Sequence, residues 1–395
     1  MRESRWILPL AMILALAVAV VPMAGCASES DEATAEDEQP YRIGAVLSLS
    51  GTYAGLGAPE QKAIELEVAS INESGGVNGR PIEVIVEDDA TDSAAAVTAV
   101  TRLIDQEDII AVIGATGTGA SMAIRGDINA AGIPQVSPAG GTVVTSDFDP
   151  LVFQTPWSNT LVAPFTFEYL EEQGISKIAL ISDSGGFGKD GAAVVADLIT
   201  GFDIEIVATE EFNPGDADMT AQLTKIKGSG AEAVMIVSAG KEAAIVASNM
   251  DQLGMEVPLV GTHGNARMEF IEGAGDAAEG FVFAAGKILI PESYGTDTEN
   301  YDVAMDFIER YTEAYGEAPN TFAGHAYDAL HIIVDALGRV DGEVTGESLR
   351  EAIEGTSDFV GIGGTFNYSA TDHNGMAASD LVMYRVEGGA WVLAE

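Results

Sequence analysis

The chain has 395 residues, 47% hydrophobic and 20% charged, which is enough apolar material for two ordinary domains with cores and excludes a wholly disordered chain. Its 62 acidic residues outweigh 18 basic ones, giving a formal net charge of −44. A surface of that sign repels nucleic-acid phosphates and anionic lipid headgroups, so nucleic-acid functions are set aside, while high salt would screen the self-repulsion.

In chain order, the first signal is export. Arg2 and Arg5 precede an unbroken apolar run from Trp6 to Val21, followed by Pro22-Met23-Ala24-Gly25-Cys26, the layout of a secretory signal peptide over residues 1–25. Cys26 is the only cysteine, so an intrachain disulfide is excluded, and its place after Ala24 and Gly25 resembles a bacterial lipobox. Met23 stands where the usual lipobox has Leu; the alternative to lipidation at Cys26 is an uncleaved membrane anchor, for which the run is near the minimum length. Residues 26–40 carry six acids, no base and almost nothing apolar, and read as a solvated tether.

From Tyr41 onward, short β-branched runs alternate with helical patterns. Strands are predicted at Arg42 to Leu49, Ile82 to Asp88, Ile109 to Ile113 and Ile133 to Val136. Between them, a helix opening at Pro59 stacks Ile64, Val68 and Ile71 on one face and stops at Gly75-Gly76, and a second from Ala94 to Gln106 stacks Val97, Val100 and Ile104. The pattern restarts after Pro156, with strands at Lys177 to Ser182, Ile204 to Ala208, Ala233 to Ser238 and Val257 to Val260, and helices at Lys189 to Thr200 and Lys241 to Leu253. Two further helices, Tyr301 to Tyr315 and His325 to Leu337, precede a glycine-rich, β-prone end from Phe359 to Leu393. Repeated β-α-β-α units imply an α/β fold with two Rossmann-like lobes built on parallel sheets.

Ligands of open parallel sheets bind beyond the carboxyl ends of the strands. The loop after strand one runs Leu49-Ser50-Gly51-Thr52-Tyr53-Ala54-Gly55-Leu56-Gly57; that after strand three runs Gly114-Ala115-Thr116-Gly117-Thr118-Gly119-Ala120-Ser121; that after strand four runs Ser137-Pro138-Ala139-Gly140-Gly141-Thr142. Backbone N–H groups and hydroxyls without charged side chains suit a carboxylate or polar head, although any one of these loops is equally well a tight turn.

Several segments together resemble the leucine/isoleucine/valine-type (branched-chain amino acid) periplasmic substrate-binding proteins of ABC importers. They are Ser50-Gly51-Thr52-Tyr53-Ala54, Asn78-Gly79-Arg80-Pro81-Ile82, Gly132-Ile133-Pro134-Gln135-Val136-Ser137-Pro138, Phe187-Gly188, Gly273-Ala274-Gly275-Asp276-Ala277-Ala278-Glu279-Gly280, Gly324-His325-Ala326-Tyr327-Asp328-Ala329 and Phe359-Val360-Gly361 with Thr371-Asp372-His373-Asn374-Gly375. The resemblance implies a type I periplasmic-binding fold with a three-crossover hinge, its crossings near Gln154 to Pro156, Phe281 to Gly286 and Phe359 to Gly364. An N-terminal lobe of residues 41–155 plus 287–360 and a C-terminal lobe of 156–286 plus 361–395 follow from it. It also implies no enzymatic activity, no cofactor, a monomer held to the membrane through its N-terminal lipid, and an ABC permease as partner.

Carried over residue by residue, the resemblance gives Thr118, Ser121, Gly140 and Thr142 as carboxylate holders, Phe187 as the aromatic closing from the second lobe, and Tyr53 or Leu56, beside Ser50, as the first-lobe wall. Trp157, just past the first crossing, lines the cleft or packs the hinge. The departure lies in Gly261-Thr262-His263-Gly264-Asn265: where amino acid binders offer a glutamate to the ligand's ammonium, this chain has His263, a weaker partner for a desolvated cation. Asp183 is a candidate substitute. The ligand is therefore a hydrophobic amino acid or, as in relatives with similar stretches, an aromatic or aliphatic carboxylate; a sensor built on the same clamp is a further alternative.

Other chemistry is weakly signalled. Gly186-Phe187-Gly188-Lys189-Asp190-Gly191 matches a dinucleotide fingerprint, yet Asp183, Ser184 and Gly185 separate it from its strand and Asp190 would repel a pyrophosphate. The four histidines, His263, His325, His331 and His373, have no zinc spacing, so no metal site is expected. Asp88, Asp89 and Asp92 read as a solvated strand end.

Overall fold

The computed structural model describes residues 39–394; the secretory segment, Cys26 and nearly all of the acidic tether lie outside the described residues. The first sheet comprises β1 (Tyr41–Leu47), β2 (Ile82–Asp88), β3 (Ala111–Gly114), β4 (Gln135–Ser137) and β5 (Val152–Gln154), all parallel, in the order β2-β1-β3-β4-β5. The second comprises β6 (Lys177–Asp183), β7 (Glu205–Phe212), β8 (Ala233–Val237), β9 (Leu259–Gly261) and β10 (Val282–Gly286). A small hairpin, β11 (Phe359–Val360) and β12 (Thr365–Phe366), precedes β13 (Leu381–Glu387) and β14 (Ala390–Leu393), which complete the order β14-β13-β10-β9-β8-β6-β7.

The second sheet is not wholly parallel: β13 runs antiparallel to β10, and β14 antiparallel to β13. Gly388 and Gly389, at φ 60° and 76°, make the two-residue turn between β13 and β14. Positive φ at both central positions gives the primed hairpin turn whose twist matches that of the flanking strands.

Between the strands lie α1 (Ala54–Glu73), α2 (Ser93–Glu107), α3 (Thr118–Ala131), the single turn α4 (Val143–Ser146), α5 (Asn159–Glu172), α6 (Gly186–Leu198), α7 (Thr220–Lys227), α8 (Glu242–Gln252) and α9 (Met268–Ala274). Then follow α10 (Glu299–Tyr315), α11 (Thr321–Arg339) and α12 (Gly346–Glu354). Helix α1 begins five residues before the Pro59 start, which places that proline in its second turn, where the missing N–H forgoes one bond to Gly55. Its buried face also differs: Leu56, Gly57, Glu60, Ala63, Ile64 and Glu67 point inward. Glu67 is neutralised there by Arg310 (2.6 Å) and bonded to His331 (2.9 Å).

Helices α1 and α11 pack together, with α11 also against β3 and β4, while α2 and α3 form the opposite layer of the first sheet. The chain passes from β5 to α5, which packs on α6 and β10, and so enters the second lobe. The second crossing, expected near Phe281 to Gly286, begins directly after that stretch: residues 282–286 form β10, and the return runs through Lys287 to Tyr294 ahead of α10. The third passage lies beyond β12. There Tyr368 donates to the Gln154 carbonyl (3.0 Å) and Asn374 to that of Pro156 (2.7 Å), which ties it to the first passage.

Both sheets have a switch point, where strand order reverses between β1 and β3 and between β6 and β8. Helices leaving neighbouring strands there go to opposite faces, and a crevice opens beyond the carboxyl edge. The two crevices face one another. Helices α3 and α6 meet across them glycine to glycine: a Cβ on Gly186 would fall 2.5 Å from the Gly119 nitrogen.

Candidate ligand-binding cleft

The first-lobe wall is braced by the three acids at the end of β2: Asp88 and Asp92 are exposed, as expected of a solvated strand end, whereas Asp89 is buried. Asp88 accepts from the Leu49 and Ser50 amides (2.9 and 3.2 Å) and the Ser50 hydroxyl (2.7 Å). Asp89 is fully buried and accepts from the Ser48 hydroxyl (2.6 Å). Asp92 caps α2 through the Ala94 and Ala95 amides (2.9 and 2.8 Å). Thr91 then links its hydroxyl to the Ser50 carbonyl and the Tyr53 amide (2.9 and 3.1 Å), fixing the loop that carries Tyr53.

Between the lobes lies a narrow pocket, its walls drawn close together. From the first lobe Tyr53, Leu56, Thr118 and Gly140 line it, and from the second Phe187 and His263. Thr116, Gly117, Pro138, Pro156, Ala239, Gly264, Phe322 and His325 complete the wall. Of these, Phe322 and His325 come from α11, whose sequence reads as plain helical core; only their spacing of three beside the N-capping Asn320 sets them on one face toward the helix start.

Four expected contacts lie elsewhere. Ser50 is exposed and bonded to Asp88. Ser121 is buried below the cavity, donating to the Ala115 carbonyl (2.7 Å) and sharing a hydrogen bond with Ser137 (2.9 Å). Thr142 gives its amide to Asp190 (2.7 Å) while its hydroxyl accepts from the Thr160 amide (3.2 Å). Trp157 is buried in the hinge with its ring edge-on to His325, centroids 5.3 Å apart, and its face closed off by Gly286.

His263 and Phe187 meet edge to face at 5.3 Å, and the imidazole rests on Gly140 so closely that no Cβ fits there. Burial lowers the His263 pKa to about 4, against a weaker opposing influence of the Gly140 backbone. His325 falls to about 3 through burial and the proximity of His263. Both rings are therefore neutral near pH 7. Among the described residues, neither His263 nitrogen, nor His325 Nδ1, nor the Thr118 hydroxyl makes a well-formed hydrogen bond, though all are buried, so these are groups a ligand would satisfy.

Among the described residues, no carboxylate lines the pocket. Asp183, the candidate substitute for a glutamate, is turned to the start of α6, where it accepts from Gly185 N (2.8 Å) and the Gly188 backbone; burial raises its pKa to about 6. The dinucleotide look-alike is thus occupied by the protein's own acid. What the cavity offers is an apolar box with a neutral polar lining, open to loop amides at one end and imidazoles at the other.

The comparisons with known proteins agree with this architecture. The periplasmic binding protein family model matches residues 40–390. The Leu/Ile/Val-binding protein homolog 3 of Brucella melitensis is 26% identical over 83% of this chain and 87% of its own length. The leucine-, isoleucine-, valine-, threonine- and alanine-binding protein of Pseudomonas aeruginosa is 24% identical over 84% and 86%. Among solved structures, an extracellular ligand-binding receptor from Rhodopseudomonas palustris superposes with a TM-score of 0.84 at 26% identity, covering 91% of this chain and all of its own. The branched-chain amino acid transporter substrate binding protein of Streptococcus pneumoniae, solved with isoleucine, gives 0.79 at 27% identity over 90% and 99%. The two-lobed type I architecture, the carboxyl-edge pocket and the family match over residues 40–390 make this chain a member of the periplasmic binding protein family, a family of extracytoplasmic solute-binding proteins.

Proposed function

We propose that this chain is the solute-binding subunit of an ABC importer, secreted through its N-terminal signal, tied to the membrane by lipid on Cys26, and specific for a hydrophobic amino acid. The observation that carries the reading is the pocket itself: buried polar atoms without partners among the described residues come from both lobes, Thr118 on one side and His263 on the other, and both residues line the same pocket. The relatives named for leucine, isoleucine and valine binding support the amino acid class.

Solute held first by the first-lobe loops gains contacts with Phe187 and His263 only when the lobes are together. That difference in contact free energy shifts the equilibrium toward closure, and a permease recognises the closed form. A second reading has its own support: with no lining carboxylate and a neutral His263, an α-ammonium lacks a counter-charge, whereas an aryl or alkyl carboxylate does not need one.

A thermal-shift screen of the soluble form beginning after Cys26 separates these readings. Branched-chain amino acids raising Tm while benzoate-type acids do not supports the first; the reverse result replaces it with the second. No shift with either class would remove both.

A further inference from the structure

We propose that Asp190 is a latch between the lobes, a positioning residue that sets the closed population without touching solute. Its carboxylate spans the cleft. Oδ2 accepts from the Thr142 amide at 2.7 Å and Oδ1 from the Val143 amide at 3.0 Å, both belonging to the segment after β4 in the first lobe. From its own side, Asn159 Nδ2 in α5 donates to Oδ2 at 2.8 Å.

When the lobes part, the Asn159 bond survives and the two amide bonds break, because Asp190 and Asn159 both ride on the second sheet. The 139–143 segment keeps its shape regardless, since Gln154 Nε2 donates to the Ala139 and Gly141 carbonyls (2.7 and 3.1 Å) from within its own lobe and hinge. The latch therefore acts on closure rather than on the folding of the segment.

Asp190 is absent from the cavity wall, but Gly140, two residues before Thr142, lies in it and meets His263. Drawing Thr142 and Val143 toward α6 is what presses Gly140 onto that ring. The Thr160 amide, donating to the Thr142 hydroxyl at 3.2 Å, pulls the same way. Hydrogen bonds to an ionised acceptor are the stronger kind, and apparent affinity scales with the fraction of molecules in the competent state. A lost latch thus weakens every solute by one common factor.

The inference rests on the solute-clamp reading, and its test separates the two. Asp190→Asn keeps the size but turns amide donors toward the amides of Thr142 and Val143; Asp190→Ala removes the carboxylate without adding donors. Amide hydrogen exchange is followed in each, free and with saturating leucine, together with leucine and benzoate affinities. Both variants are expected to exchange faster at Thr142 and Val143, with the β4 and β6 amides unchanged, and to lose roughly tenfold in affinity for whichever probe binds. Exchange at those two amides no faster than wild type in either condition overturns the latch, as does a loss that differs between two binding probes, because solute contact would then be direct. If neither probe binds the wild type, the functional reading fails while the exchange rates still decide the latch.

Discussion

The Thr116 hydroxyl donates to the buried carboxyl of Glu60 at 2.5 Å, so a residue of α1 that never reaches the cavity orients one that lines it. Thr116 in turn accepts from the Ser48 amide at 3.0 Å. Burial drives the Glu60 pKa well up, with the Thr116 bond opposing and Asp89 adding to it. Glu60→Gln keeps an acceptor of the same size for the Thr116 hydroxyl and is expected to remain near wild type. Glu60→Ala leaves the Thr116 hydroxyl unpaired and opens space under α1, at a cost of about 2–4 kcal/mol. Urea unfolding checks the pair; equal stability of both variants would contradict the relay.

His263→Ala is expected to weaken solute binding by roughly tenfold or more while the melting temperature stays near wild type, because the ring's contact with the Gly140 backbone is made across the cleft and is not part of either lobe's own fold. Titration calorimetry beside a thermal melt makes the comparison. Unchanged affinity removes His263 from the site.

Gly140→Ala places a methyl group against the His263 ring. The open lobes accommodate it and the closed ones do not, so the expected result is a native-like melt with closure impaired and affinity reduced. Small-angle scattering with and without a binding solute reads closure; compaction equal to wild type would show that the ring yields.

Asp328, fully buried in α11, accepts from the Ile362 and Gly363 amides at 2.7 Å each, yet burial raises its pKa from 3.8 to about 8. A raised acid makes its contribution in full below its unfolded value, and that contribution is lost as pH rises toward the folded one. Wild type is therefore expected to lose stability between about pH 4 and pH 8 relative to Asp328→Asn. His263 and His325 have the opposite slope: depressed from 6.5 to about 4 and about 3, they withdraw stability as pH falls below 6.5. Denaturant midpoints across pH for wild type and Asp328→Asn isolate the first term, and parallel profiles would refute it.

The alternation of strand and helix was legible because each β-branched run and each 3.6-period stripe buries one face regardless of its neighbours. The early start of α1 was not, since Ala54, Gly55, Gly57 and Ala58 carry no periodicity and Pro59 mimics an opening residue. The reversed direction of β13 is set by pairing with β10, far off in sequence. In the cleft, composition marked the loops at the strand ends, and it was the family resemblance that singled out Tyr53, Thr118 and Gly140 within them. His325 went unread because a buried helix shows its apolar face, not which part of that face meets empty space, and Phe322 because the helix was expected to begin only at His325, one turn after its true start at Thr321. Ser121 and Thr142 bear the right chemistry at the right edge, but their polar groups had already found partners within the protein.

The glycine-to-glycine meeting of Gly119 and Gly186 defines how far the jaws travel. On the Gly186 side the end-stop is a hydrogen where any other residue would put carbon, so the depth of the bite is written in an atom the chain lacks. A single methyl at Gly186 would act as a shim, holding the jaws ajar by about its own thickness while leaving every residue that grips the solute in place.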